Sequence, residues 1–274
     1  MKFGGTSVED AAAISRLVEI VGRRVDKKPL IVVSALSGVT SDLYRISSLA
    51  PAGEDSGVAE MIKVIKERHL TVLNELIPEN SPSKEEACSQ IVRLADQLEE
   101  IVKVVGILSE LSERSLARIV SHGELLSSTL IWGVLKERGY SCKYLDARQF
   151  IVTNNNYLKA DPIVDIIKTR VPEIISPLAE QYDLLITQGF ISSTADGINT
   201  VLGRGGSDYS ASLLGMALGV REIEIWTDVD GVHTADPRYV KGTRSISELS
   251  FEEAAEMAYF GAKVLHPSTI LPAI

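Results

Sequence analysis

Three glycine-rich segments set charged or hydroxyl side chains beside backbone that can approach an oxyanion closely. Lys2-Phe3-Gly4-Gly5-Thr6-Ser7 pairs a lysine with two glycines and two hydroxyls. Ser34-Ala35-Leu36-Ser37-Gly38-Val39-Thr40 is built from small and hydroxyl residues, and Gly203-Arg204-Gly205-Gly206-Ser207-Asp208 brackets two glycines with an arginine and an acid. Glycine lets the chain come close to a ligand, and a helix beginning at such a turn adds its partial positive charge. Taken singly, a Gly-Gly turn is also ordinary strand-to-helix packing. Three of them, carrying lysine, arginine and aspartate, point to a shared anion site. Phosphoryl transfer needs those residue types: cations and amides on the developing charge, an acid compatible with magnesium, and a positioned nucleophile.

A fourth segment, Thr227-Asp228-Val229-Asp230-Gly231-Val232-His233-Thr234-Ala235-Asp236-Pro237-Arg238, is denser in acids. It reads either as an Asx-rich turn with solvated charges or as a nucleotide loop, with hydroxyl and carboxylate for a ribose and Arg238 for phosphate. Lys263 either complements a helix C-terminus, the reading its position favours, or reaches a phosphate. Glu124, within Ser121-His122-Gly123-Glu124, is either solvated, which the residues alone favour, or holds an ammonium group. His122 and His266 have no second ligand at metal-site spacing and read as structural. No G-x-x-x-x-G-K-[ST], G-x-S-x-G or H-E-x-x-H occurs, and Gly203 to Gly206 does not satisfy G-x-G-x-x-G.

The elements that must position these groups alternate between short β-rich runs and longer helical patterns, which indicates an α/β fold with a mainly parallel sheet. Strands are expected at 2–3, 30–33, 141–145, 183–187 and 222–226, and a hairpin at 190–194 and 198–202 around Asp196-Gly197. Helices are expected at about 8–24, 39–49, 58–77, 84–105, 112–138 and 207–218. Asp161-Pro162 has the form of an N-cap and first helical residue. Ser250 and Glu253 have capping-box spacing ahead of a helix that Gly261 ends. In a parallel sheet the loops at the strand carboxyl ends share one crevice, so the glycine segments should face one another.

The chain has 274 residues, 45% hydrophobic and 24% charged, with 28 basic against 37 acidic residues and a net charge of -9. That composition excludes disorder and fibrous repeats. An acidic chain without a basic run is a poor partner for nucleic acid or an anionic membrane, so an anion must be held by local cations and amides. Cys88 and Cys142 belong to no CxxC pair and read as inert, which suits a reducing cytoplasm. No apolar run of membrane-spanning length and no signal segment is present.

KFGGTS at 2–7, VVSALSGVT at 32–40, SHGEL at 121–125, GRGGSD at 203–208, TDVDGVHTADPR at 227–238 and GAKVLHP at 261–267 follow one another as the motifs of one family do. Over nearly its whole length the chain resembles the aspartate kinase catalytic domain of the amino acid kinase superfamily. GRGGSD with TDVDG distinguishes it from most glutamate, acetylglutamate and uridylate kinases. The resemblance implies a three-layer αβα sandwich, with an amino-acid lobe over about 1–180 and a nucleotide lobe over about 181–274. It implies phosphorylation of L-aspartate by MgATP to 4-phospho-L-aspartate, at the entry to lysine, threonine and methionine synthesis, and it is compatible with a homodimer. Lys2 and Asp208 match the catalytic lysine and the organising acid. Ser34, Thr40, Glu124, Phe190, Arg204 and Ser207 match aspartate-binding positions, where arginine grips a carboxylate and Glu124 pairs with the ammonium. Gly4, Gly5, Thr227, Asp228, His233, Asp236, Arg238 and Lys263 match the nucleotide site, with Mg2+ carried by ATP and no direct protein ligand to it.

Two departures stand out. Only Met1 precedes Lys2, where the family has a longer first strand, and His233 stands where a tyrosine is frequent beside adenine. The family continues into regulatory ACT domains beyond the point where this sequence stops, so no cis-acting feedback site is expected within it. The competing expectations are a relative acting on another acid and a nucleotide-binding subunit that needs a partner chain.

Overall fold

The structure is a computed structural model that describes residues 1–236 and 239–259 and the single positions 269 and 272. Its framework is a sheet of five strands, Lys2–Phe3 (β1), Leu30–Val33 (β2), Cys142–Tyr144 (β3), Leu184–Gln188 (β5) and Ile225–Trp226 (β8), in the order β3-β5-β2-β1-β8. All pairings are parallel, with Lys2 opposite both Val32 and Ile225, and Val33 opposite Gln188. β2 and β5 lie inside the sheet with layers on both faces, which is why their sequences are continuous apolar runs instead of alternating ones. Because the strands are parallel, the segments after β1, β2, β5 and β8 all emerge at one edge. Strands and core residues from both sides of residue 180 share this sheet and one contiguous hydrophobic cluster.

A smaller sheet, Val152–Thr153 (β4), Ile191–Thr194 (β6) and Asn199–Val201 (β7), runs in the order β4-β6-β7. β6 and β7 form the antiparallel hairpin expected from Asp196-Gly197, with Ile191 opposite Val201. Its buried hydroxyls satisfy one another, Thr153 with Thr200 at 2.7 Å and Ser192 with Thr200 at 2.8 Å. β4 was not foreseen, since two residues carry no periodicity to read.

The helices are Ala11–Gly22 (α1), Val39–Leu49 (α2), Asp55–Leu76 (α3), Pro82–Leu108 (α4), Glu113–Val120 (α5), His122–Glu137 (α6), Val164–Gln181 (α7), Gly206–Leu218 (α8) and Phe251–Tyr259 (α9). α6 is buried on every face from His122 to Leu135, lying between the central sheet and α4. α7 and α8 cover the sheet from the other side. Among the described residues no helix is long and apolar enough to cross a membrane.

Several expected boundaries shift for identifiable reasons. The helix expected at 8–24 begins only at Ala11, because Asp10 caps it by accepting from Ala13 N at 2.7 Å and a 3-10 turn occupies Gly5–Val8. The expected helix at 112–138 is two helices, broken at Ser121, whose hydroxyl donates to Ala117 O at 2.6 Å. Such back-bonding bends helices. Asp161-Pro162 does not start a helix: α7 begins two residues later, and Asn154 binds Asp161 through side chain and backbone at 2.8 and 3.0 Å. The strand expected at 222–226 shortens to Ile225–Trp226. The capping box at Ser250 is present, with Glu253 N donating to Ser250 Oγ at 3.1 Å and Ser250 N donating to Glu253 Oε2 at 2.9 Å. Gly261 and His266 lie outside the described residues.

Candidate active site

A cleft of about 700 Å³ opens where the loops after β1, β2 and β5 meet the turn before α8. Two helices begin at its wall, α2 after Gly38 and α8 after Gly205, so unpaired amides and two positive helix ends converge on it. Gly205 adopts φ +71° to make that turn. The walls fit closely: a Cβ on Gly189 would stand 2.5 Å from Ser207 Cβ, and one on Gly206 would stand 2.8 Å from Phe190 Cδ2. A larger residue at either position would push the β5 loop away from α8.

Lys2, Gly5, Ser34, Thr40, Glu124, Phe190, Arg204, Ser207 and Asp208 all line this cleft. Lys2 sits at the buried end of β1, and its Nζ lies 2.6 Å from Asp208 Oδ1. The contact is Coulombic without the alignment of a hydrogen bond, since Asp208 Oδ1 has no hydrogen-bond partner. Asp208 is in the first turn of α8, where the helix dipole favours a carboxylate. Gly4 packs beside the lysine, its Cβ direction 3.5 Å from Lys2 Nζ.

Glu124 corrects the solvated reading. It is 3% exposed in the first turn of α6, with Oε1 accepting from Ala35 N at 3.2 Å and Oε2 buried without a partner. Burial raises its pKa to about 8, and the hydrogen bond from Ala35 only partly offsets that. A buried carboxyl with one oxygen unsatisfied beside a cleft is suited to receive a cation. His122, buried two residues before it, binds Arg118 O through Nδ1 at 2.9 Å, and burial lowers its pKa to about 4. Among the described residues no group of three or more His, Cys, Asp or Glu could hold a metal ion.

Phe190 has φ +66°, and Ile191 N donates back to Gly189 O at 2.6 Å, a γ-turn at the cleft wall. A bulky residue in this region is strained, and such strain clusters at functional sites. Ser210 and Leu202 hold it, Phe190 N donating to Ser210 Oγ at 3.0 Å and Leu202 N to Phe190 O at 2.9 Å. The sequence reading placed Phe190 in a strand and gave no sign of this turn.

Thr227, Asp228, His233 and Asp236 stand apart from the cleft, on the segment after β8. That segment starts beside the first loop, since Gly4 N donates to Trp226 O at 3.1 Å and the Phe3 and Trp226 rings stack. Thr227 Oγ1 donates to Asp228 Oδ1 at 3.0 Å, and His233 pairs with Ser245 in an isolated bridge. Arg238 and Lys263 lie outside the described residues. Residues not anticipated include Tyr44, one helical turn past Thr40 on α2 and hence readable from i,i+4 spacing, and Ser127, which donates to Ser34 O at 2.7 Å. Arg68, outside the cleft, donates to Ser37 O at 2.7 Å and had no sequence signal.

A second cavity of about 510 Å³ lies at the amino end of β1 and β2, walled by Leu30, Val32 and Leu214. Its acids Glu222 and Glu224 are already paired with Lys27 and Arg24 at 3.1 and 2.9 Å. It lacks the converging helix ends of the first cleft.

The model of the amino acid kinase family matches residues 1–274. The chain is 38% identical over 279 residues to lysine-sensitive aspartokinase 3 of Escherichia coli, covering 100% of this chain and 58% of that protein. It is 40% identical over 274 residues to an aspartokinase of Chlamydia trachomatis, with 100% and 58% covered. The crystal structure of E. coli aspartokinase III in complex with aspartate and ADP superposes with a TM-score of 0.89 at 38% identity, covering 99% of this chain and 58% of that one. The chain thus spans little more than half the length of these relatives. A match along all 274 residues, on a parallel sheet whose loops close the cleft just described, shows that the chain belongs to the amino acid kinase family.

Proposed function

We propose that the chain catalyses phosphorylation of the side-chain carboxylate of L-aspartate by ATP, giving 4-phospho-L-aspartate. The observation that carries this reading is the gathering in one cleft of a buried, half-satisfied Glu124, an arginine (Arg204) with no ion-pair partner among the described residues, and the Lys2–Asp208 pair. The resemblance to aspartokinases supports the choice of acid.

Each group has a physical task. Glu124 receives the substrate ammonium, which supplies the cation its buried carboxyl lacks and draws it into the ionised form. Arg204 holds the α-carboxylate through paired N–H donors, with the hydroxyls of Ser34, Thr40 and Ser207 as further donors. Phe190 closes the wall. The attacking carboxylate is ionised at neutral pH, so the reaction needs no strong general base. Lys2 lies where its ammonium can follow the charge on the transferring phosphoryl group, and Asp208 holds it there. Magnesium, carried by ATP, would neutralise the phosphate oxygens, and Asp208, which lines the cleft, is the acid present there that would face it.

Gly4 and Gly5 let the backbone approach the phosphates, Arg238 and Lys263 reach them as cations, and Thr227, Asp228, His233 and Asp236 hold the nucleoside end. In this reading the segment to about 180 contributes most of the amino-acid side and the remainder most of the nucleotide side. Arg204, Ser207 and Asp208 reach across from the latter. Entry to lysine, threonine and methionine synthesis, a cytoplasmic location and a homodimer are parts of the same proposal.

Hydroxylamine trapping tests it. Purified chain with MgATP and L-aspartate should yield hydroxamate, with glutamate and no-acid controls blank. Product with another acid alone would overturn the substrate. No product from a folded chain that binds ATP would favour a subunit that needs a partner chain.

A further inference from the structure

Arg68 lies on α3, outside the cleft, and its guanidinium spans two loops that leave different strands. Nη1 donates to Ser37 O at 2.7 Å, in the loop after β2, and Nη2 donates to Glu9 O at 3.0 Å, directly after the 3-10 turn that follows β1. The two loops touch nearby: a Cβ on Gly5 would come within 3.1 Å of Ala35 O. Ser34 N also donates to Phe3 O at 3.2 Å where the strands end. One loop carries Gly5 just after Lys2, and the other carries Ser34 to Thr40.

We infer that Arg68 is a positioning residue that sets the gap between the β1 loop and the β2 loop, and with it the alignment of Lys2 and Gly5 against Ser34 and Thr40. The inference rests on the kinase reading for its consequence in turnover, but its geometry stands independently. A planar fork with two N–H groups at fixed separation can hold two carbonyls at once, whereas an ammonium is a single point. The fork is itself anchored. Ile62, Ile65, Val72 and Leu73 bury α3, and the neighbouring His69 is fully buried with Nδ1 bound to Ile65 O at 2.7 Å. Asp10, next to Glu9, caps α1, so the far side of the β1 loop is fixed as well. Arg68 touches no cleft space and acts only through the backbone it holds.

The test compares the full chain with Arg68→Ala and Arg68→Lys, using amide hydrogen exchange without substrates and steady-state kinetics. In Arg68→Ala, exchange at residues 4–9 and 34–40 should accelerate on the order of tenfold while β5 and α6 stay protected. Turnover should fall roughly 10- to 100-fold, the scale expected when reacting groups are misplaced by about 1 Å, with KM for ATP little changed. Millimolar guanidinium should restore part of the activity. Unchanged exchange in both loops, or acceleration spread evenly over the chain, would overturn the assignment. Where Arg68→Ala does not fold, Arg68→Lys decides: it can hold one carbonyl, so one loop should loosen, and neither loosening refutes the inference. Absence of hydroxamate from the unmutated chain would sink the kinase reading while loop exchange still judged Arg68.

Discussion

The acceptor cleft and the segment after β8 carry comparable densities of charged and hydroxyl side chains, yet the fold treats them differently. In the cleft, Lys2 and Glu124 are buried and every wall is tied to another element: Ala35 to Glu124, Ser34 to Ser127, Ser37 to Arg68, Phe190 to Ser210. Thr227 and Asp228 are exposed, and the Thr227 hydroxyl donates to the Asp228 carboxylate beside it. Charges held in a low-dielectric, cross-tied setting act strongly without reorganising, which suits a site that must stabilise a transition state. Exposed groups on a single loop suit recognition of a ligand that binds and leaves. On the proposed reading, the first region does the chemistry and the second grips the nucleotide.

The largest expected effect is at Lys2. Lys2→Ala should cut turnover by about 10² to 10³, the scale of losing one preorganised group on developing charge, with circular dichroism little changed. Turnover that survives would remove the buried region from the chemistry and break the contrast.

Glu124→Gln comes next and sharpens it. KM for the amino acid should rise on the order of tenfold, from the loss of a charged hydrogen-bond partner, while KM for ATP stays put. The same variant tests burial directly. Glu124 titrates near 8 in the fold against 4.5 as its ordinary value, so between those values the folded state holds a proton that the unfolded chain releases. Its contribution to stability is therefore fully present below about 4.5 and is lost as pH rises towards 8. The stability of Glu124→Gln relative to the unmutated chain should climb across that window in denaturant titrations; a flat difference would show that Glu124 is hydrated after all. His69 and His122, both lowered to about 4 by burial, have the opposite slope between about 4 and 6.5 and cancel in the comparison.

The smallest effect belongs to the exposed segment. Asp228→Ala should weaken ATP binding about fivefold, the worth of roughly one hydrogen bond, and leave KM for the amino acid unchanged. A loss as large as that of Lys2→Ala would erase the distinction between the two regions.

Much of this site is legible in the sequence. The glycine segments, the lysine at the end of β1, Arg204 and Asp208 were visible because a close backbone approach demands particular residue types in local order. β2 and β5 were visible as apolar runs and the β6–β7 hairpin as Asp196-Gly197, since these depend on neighbours in sequence. Glu124 was misread as solvated because a lone acid in a helical pattern does not reveal what packs over it. Burial of α6 comes from the following strand β3 and, on its other sides, from β2, β5 and α4, none of which is adjacent to it in the chain. The break at Ser121 and the capture of Asp161 by Asn154 likewise depended on which of several polar partners won.

What the sequence by itself determined was the chemistry available: which strands, which turns, which cations and acids. The tertiary structure alone decided how those groups are used. The burial of Glu124 against Ala35, the hold of Ser210 on Phe190 and the fork of Arg68 across two loops each join segments far apart in the chain. Their energetics depend on exclusion of water and on fixed distances between elements, and neither quantity is carried by local order.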